Sequence, residues 1–293
     1  MTEPKSHTLQ VPGAVLHYDV REAADGGAPP LLMIGSPMDA SGFAALAERF
    51  GDRTVVTYDP RGVGRSVRTD GLAESTPEMH AGDLHRLISA VGGGPVDVFA
   101  SSGGAVNALA LVARHPEQVR TLVAHEPPLA ALLPDRERAL AAVVHIRETY
   151  DREGPGPAMG KFIALTSIQG EIPAGFAGLP VPDPAAFGFG DEETDEEAQG
   201  DDPLFVQNLI TCTHYEPDVA ALRAAPTRVV IAVGAESEGQ LARRAGHAIA
   251  ERLGGEAVIF PGGHAGFLDA RSGMPGVDPD GFAAALRQVL AAG

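Results

Sequence analysis

Cysteine is almost missing: Cys212 stands alone in 293 residues, so no internal disulfide can staple the chain. Basic residues are also scarce. Lysine and arginine number 22 against 39 acids, a net charge of −17, and a surface so negative repels phosphate backbones, which excludes a general nucleic-acid binder. No apolar run approaches the length of a membrane span, and Met1–His7 lacks the apolar stretch of a secretion signal. The expectation is a cytoplasmic protein, monomeric or homodimeric, with no nucleic-acid or membrane partner. Composition is otherwise that of a globular protein, with 44% apolar and 21% charged residues able to build a sizeable core.

Short apolar runs recur at Leu31–Ile34, Thr54–Tyr58, Val96–Ala100, Thr121–His125, Arg228–Val233 and Ala257–Phe260. They are rich in Val and Ile and barely alternate, as strands buried on both faces should be, and helical patterns follow most of them. Leu9–Val11 and Val15–Val20 flank Pro12-Gly13, which predicts an antiparallel hairpin at the sheet edge. The rhythm is that of an α/β fold with a mostly parallel, eight-stranded sheet flanked by helices. Thr76-Pro77, Ser237 with Gln240, and Asp278-Pro279 carry the spacing of helix starts.

From 129 to 226 the strand signals vanish and only helical pieces remain, among them Arg136–Tyr150 and Pro203–Cys212. This predicts a core domain made of 1–128 and 227–293, with a helical insertion at 129–226. Within the insertion, residues 191–202 hold eight acids and no base, so nearly half the net charge belongs to a segment expected to be a mobile, solvated loop.

Val96–Ala100 runs through Ser101-Ser102-Gly103-Gly104 straight into a helix, a strand, sharp turn and helix that can hold a serine out above a sheet. Such a turn brings the residues two before and two after the serine together, so both must be small. Ser102 satisfies this with Ala100 and Gly104, whereas Ser101 would need room for Phe99. The competing role for Ser102 is a helix-capping hydroxyl.

Here the chain resembles the α/β-hydrolase family over nearly its whole length. The family's Gly-x-Ser-x-Gly elbow stands as Ala100-Ser101-Ser102-Gly103-Gly104, with alanine for the first glycine. Tyr58-Asp59-Pro60-Arg61-Gly62-Val63-Gly64-Arg65-Ser66 is similar to the family's loop after its fourth strand, where the charged residues are structural, and His115-Pro116-Glu117-Gln118-Val119 to its helix-to-strand turn. The resemblance implies the α/β-hydrolase fold with a helical cap, and a serine nucleophile that needs a base.

Ten histidines compete for that role. His264 lies on a glycine-flanked loop beyond the last predicted strand, on the edge where Ser102 emerges. His80, His85 and His247 fall inside helices, His17 in the hairpin, and His115 in a last helical turn where the dipole favours a cation. No histidine pair has metal-ligand spacing supported by further Cys, Asp or Glu, so no metal site is expected, and the reading needs no cofactor.

The third member of a Ser-His-acid triad is open. In the family it usually follows the strand that here ends at Gly234, but Gly234-Ala235-Glu236-Ser237 puts serine in its place. Glu126, Glu236 and Glu238 can each substitute. Glu126 is preferred, because a carboxylate beside two prolines at a buried strand end is costly without a partner such as an imidazolium.

For a developing oxyanion the resemblance implies N–H donors at Gly103 and in the loop after Leu31–Ile34, where Ser36 is the candidate because Pro37 has no N–H. Met38, His125, Phe162, Leu165, Phe205 and Leu209 are candidate pocket residues. The reading is a cofactor-free serine hydrolase acting on a small-molecule ester or lactone. The same triad also serves C–C hydrolases, lyases, acyltransferases and haloperoxidases, and a low-turnover ligand receptor is a reading of a different class.

Overall fold

The computed structural model describes residues 3–23, 27–182 and 202–292. The strands are β1 (Lys5–Val11), β2 (Ala14–Arg21), β3 (Leu31–Ile34), β4 (Val55–Tyr58), β5 (Val67–Arg68), β6 (Val96–Ser101), β7 (Val119–His125), β8 (Arg228–Gly234) and β9 (Val258–Phe260). They form one sheet in the order β1-β2-β4-β3-β6-β7-β8-β9, and β5 pairs with β2 off this path. Neighbours from β4 to β9 are parallel, while β2 is antiparallel to β1, β4 and β5. The expected eight strands make up the path. The two-residue β5 is a ninth, too short to leave a pattern in the sequence.

The helices are α1 (Ala44–Ala47), α2 (Pro77–Ala90), α3 (Gly103–Arg114), α4 (Arg136–Glu153), α5 (Pro155–Ser167), α6 (Leu209–Thr213), α7 (Val219–Ala224), α8 (Leu241–Leu253) and α9 (Pro279–Ala291). Between β7 and β8 the described residues form helices and loops but no strand. The acidic run at 191–202 lies outside the described residues, except for Asp202.

Local chemistry accounts for some helix starts. Thr76 Oγ1 accepts the Met79 N–H at 3.3 Å ahead of Pro77, and Asp278 Oδ1 accepts the Gly281 N–H at 2.9 Å ahead of Pro279. The expected cap at Ser237 does not form. Ser237 is buried in a short 3₁₀ turn with its hydroxyl unpartnered, and α8 begins four residues later behind Gln240, whose side chain caps nothing.

Each face of the sheet carries its own core. On one, α2, α3 and α8 cover Leu32, Val98, Ala100, Leu122 and Ile231. On the other, Phe43, Phe99, Phe260, Phe267 and Phe282 interlock beneath α1 and α9, with ring centroids 4.9–6.2 Å apart. The loop from Asp59 to Ser66 is tied inward: Asp59 accepts N–H groups of Ala40 and Arg65 and pairs with the Arg65 guanidinium at 2.7 Å. His115 follows α3 and stacks on His85 at 3.9 Å. Burial first, and then the neighbouring His85, lower its pKa, so the cation expected there is disfavoured rather than favoured.

Candidate active site

The turn after β6 forces Ser102 to φ 57° and ψ −129°, one of two positive-φ positions occupied by a residue other than glycine among the described residues. Such a conformation costs on the order of 1–3 kcal/mol and persists only where packing over-determines it. The packing here is close. A Cβ on Gly104 would stand 2.8 Å from both Gly35 Cα and the Ile34 carbonyl oxygen, so no larger residue fits without moving backbone. The Ser102 N–H donates to the His125 carbonyl at 3.0 Å, and its carbonyl accepts the Ala105 N–H at 2.9 Å. Its hydroxyl makes no capping bond, so the capping role is left unused, and the side chain stands at the cavity described below.

The second such position is Glu126, at φ 48°, directly after β7. Its N–H donates to the Ala232 carbonyl at 2.9 Å, which pins the kinked backbone to β8. The carboxylate is fully buried and doubly bound: Oε1 accepts the Gly234 N–H at 2.8 Å, and Oε2 lies 2.6 Å from His264 Nδ1. Burial pushes its pKa up, but the His264 hydrogen bond, the electrostatic interaction with the two neighbouring imidazoles and the Gly234 N–H outweigh that and hold it at about 2. Glu126 is therefore ionised, and by accepting at Nδ1 it leaves the other ring nitrogen, Nε2, as the acceptor of the neutral imidazole.

His264 lies on the loop after β9, in a run of turns from Pro261 to Gly266. Gly262, at φ 79°, has the Gly276 carbonyl oxygen 2.3 Å from where a Cβ would be, so this approach needs glycine. Glu236 and Glu238, the other candidate acids, are both exposed and neither bonds to His264.

Ser102, Gly103, Ser36 and His264 all line one cavity of about 320 Å³. Phe162, Leu165 and Leu209 line it too, joined by Val143, Ile163, Leu204 and Leu241. Glu236 stands at the same cavity, and among the described residues no lysine or arginine lines it.

Three of the anticipated pocket residues lie elsewhere, each for a packing reason. Met38 folds back over Gly35 and Gly42 toward the Phe43 core. His125 is buried among Phe99, Phe260, Phe267 and Phe282, with Nδ1 3.2 Å from Ser101 Oγ; burial drives its pKa down to about 4. Phe205 stacks on Tyr150 at 5.0 Å in the interior of the helical segment.

The sequence reading missed Asn208 and Cys212, which also line the cavity. Their only trace is the spacing of Leu204, Asn208 and Cys212, four residues apart, which puts one helix face toward the site. Asn208 Oδ1 accepts from Ser36 Oγ at 2.9 Å. Burial pushes the Cys212 thiol up to about 12, so it stays protonated and is no competing nucleophile.

A second hollow of about 360 Å³, lined by Asp19, Arg21, Asp39, Asp59 and Arg65, shares no residue with the first. Its Asp19 and Asp59 are already paired with Arg65. Among the described residues no group of His, Cys, Asp and Glu is arranged to hold a metal ion, and no helix is long and apolar enough to cross a membrane.

A sequence profile of the alpha/beta hydrolase fold matches residues 31–173. The chain is also 32% identical over 275 residues to the uncharacterized hydrolase YraK of Bacillus subtilis, covering 89% of each sequence. The chain belongs to the α/β-hydrolase family. Solved structures similar to this α/β-hydrolase include a thermophilic esterase from Thermogutta terrifontis, with TM-score 0.66, 20% identity and 99% of both chains covered. Another is the enol-lactonase from Burkholderia xenovorans LB400, with TM-score 0.64, 17% identity and coverage of 97% of this chain and 100% of that one. At such identities the likeness is one of fold. The α/β-hydrolase fold explains why the ends of β6, β7 and β9 deliver their loops to one edge: parallel strands present their C-terminal ends together.

Proposed function

We propose that this α/β-hydrolase is a serine hydrolase of a neutral ester or lactone, with Ser102 as nucleophile, His264 as base and Glu126 as the acid of the triad. The observation that carries the reading is the doubly held Glu126 carboxylate on His264 Nδ1, beside a serine held at positive φ with its hydroxyl free of capping duty.

Ser102 Oγ attacks the substrate carbonyl carbon while His264 Nε2 takes its proton. The buried, ionised Glu126 stabilises the resulting imidazolium and keeps the ring in the productive tautomer. The oxyanion of the tetrahedral intermediate faces the N–H groups of Gly103 and Ser36. Gly103 opens α3, so its N–H sits at the positive end of the helix dipole. Collapse expels the alcohol, which takes the proton from His264, and water then hydrolyses the acyl-enzyme by the same steps.

The described residues of the 129–226 segment act as a cap, because Val143, Phe162, Ile163, Leu165, Leu204 and Leu209 contribute its apolar lining to the cavity. A cavity so apolar, with Glu236 as its one carboxylate and no lysine or arginine among the described residues, favours a neutral substrate with an apolar acyl or alcohol group and disfavours anions. A panel of chromogenic esters and lactones tests the reading: the wild type should hydrolyse at least one neutral member, and Ser102→Ala should not. A wild type that binds such compounds without turning any over would favour a receptor instead.

A further inference from the structure

Neighbouring residues of an α-helix point about 100° apart, so two in a row rarely bury polar side chains against the same body. The segment Leu204–Asn208 departs from that rule because it is a π-helical turn, in which the Leu209 N–H bonds to the Leu204 carbonyl five residues back. Gln207 and Asn208 are both buried there. Gln207 grips the core: Oε1 accepts from Ser75 Oγ at 3.1 Å, Nε2 donates to the Gly62 carbonyl at 3.3 Å, and its own carbonyl accepts the Ser75 N–H at 3.2 Å. Asn208 is thereby carried to Ser36.

The orientation of the Asn208 amide follows from its second bond. Nδ2 lies 3.1 Å from the Pro203 carbonyl, which can only accept, so the amide oxygen is the end that faces Ser36. Ser36 Oγ must therefore donate to Asn208 Oδ1, and the hydroxyl has no proton left for a substrate. What Ser36 can offer an oxyanion is its backbone N–H. Ser36 is also wedged against the nucleophile turn: a Cβ on Gly103 would stand 2.7 Å from the Ser36 carbonyl oxygen. Any rotation of Ser36 thus moves its N–H relative to Ser102.

We propose that Asn208 is a positioning residue whose amide holds Ser36 so that its N–H faces the carbonyl oxygen of the substrate attacked by Ser102. The segment over the cavity then sets the oxyanion site as well as the roof. This inference rests on the reading of Ser36 as an oxyanion donor given above.

The test is steady-state hydrolysis of a nitrophenyl ester by the full chain carrying Asn208→Ala, Ser36→Ala, both together, or Thr211→Val. Asn208→Ala should lower kcat about 10- to 100-fold with KM within about threefold. Ser36→Ala keeps its backbone N–H but loses the same bond, so it should fall by a similar factor. The double variant should lose no more than either single one, because the two substitutions break one interaction. Thr211→Val removes the 2.7 Å bond from Thr211 Oγ1 to the Ser75 carbonyl and a longer 3.4 Å contact with the Asn208 backbone carbonyl, so it loosens the same segment while leaving the Asn208 side-chain amide and its bond to Ser36 in place. It should lower Tm and leave kcat within about twofold.

Unchanged kcat in folded Asn208→Ala, or additive losses in the double variant, would overturn the proposal. If Asn208→Ala does not fold, Ser36→Ala decides alone, and wild-type kcat in that variant overturns it. A wild type that neither hydrolyses esters nor reacts with a serine-directed phosphonate removes the reading of the site and this inference with it. A reactive wild type with unaffected variants removes only the inference.

Discussion

Glu126 Oε2 sits 2.6 Å from His264 Nδ1, while its other oxygen accepts the Gly234 N–H at 2.8 Å. The carboxylate is thus fixed from both sides before it touches the imidazole. That rigidity predicts that Glu126→Gln, which preserves shape but not charge, lowers kcat/KM by about 10²- to 10⁴-fold on the best ester. Glu236→Gln and Glu238→Gln should stay within about threefold. Comparing the three kcat/KM values checks the assignment, and an unaffected Glu126→Gln would refute it.

Acid should destabilise the fold in two stages. Burial holds His125 at about 4 and His80 at about 3, below the ordinary 6.5, so the unfolded chain gains protons that the native state refuses as pH falls below 6.5. Each contributes a stability loss approaching about 1.4 kcal/mol per pH unit in that window. Glu126, at about 2 against the ordinary 4.5, adds stability that is present above 4.5 and lost as pH falls from there toward 2. Urea midpoints from about pH 7 down to about pH 4 should decline steadily. His125→Gln should flatten that decline by one proton's share.

The elbow has no spare room. Gly104→Ala should cost about 1–3 kcal/mol in urea unfolding and abolish most turnover, because its Cβ would meet Gly35 and Ile34 backbone at 2.8 Å. Gly71→Ala is the contrast for strain without contact: nothing lies within 4 Å of its Cβ, so only its φ of 70° is penalised.

Phe162 and Phe205 should separate lining from packing. Phe162→Ala enlarges the cavity and should shift preference toward longer acyl chains, read as kcat/KM across an ester series. Phe205→Ala removes a fully buried ring and should cost about 3–5 kcal/mol of stability without changing that preference.

How much of this was legible in the sequence follows from the range of the contacts. The parallel sheet was readable because the buried strands β3, β4, β6, β7 and β8 each announce themselves in four to seven consecutive residues, while the edge strand β9 has only three and exposes Val258 and Ile259. The small neighbours of Ser102 were readable because the turn's sterics are local. Glu126 was readable as a carboxylate in need of a partner because Pro127 and Pro128 mark a strand end where solvent is scarce. Asn208 was not, since its contact with Ser36 spans 172 positions and depends on a π-helical turn that no local pattern signals. Ser237 misled for the opposite reason: its capping spacing is local, but the chain takes a 3₁₀ turn there and starts α8 later. Met38 and His125 point into the phenylalanine core, a choice made by side-chain packing across the sheet rather than by their neighbours in sequence.

The central claim is that Ser102 is acylated by substrate. Intact-mass and peptide mass spectrometry after treatment with a serine-directed phosphonate tests it most directly. One adduct per chain, mapped to Ser102 and lost together with ester turnover in Ser102→Ala, is the predicted result. An adduct elsewhere, or ester hydrolysis that persists in Ser102→Ala, would contradict it.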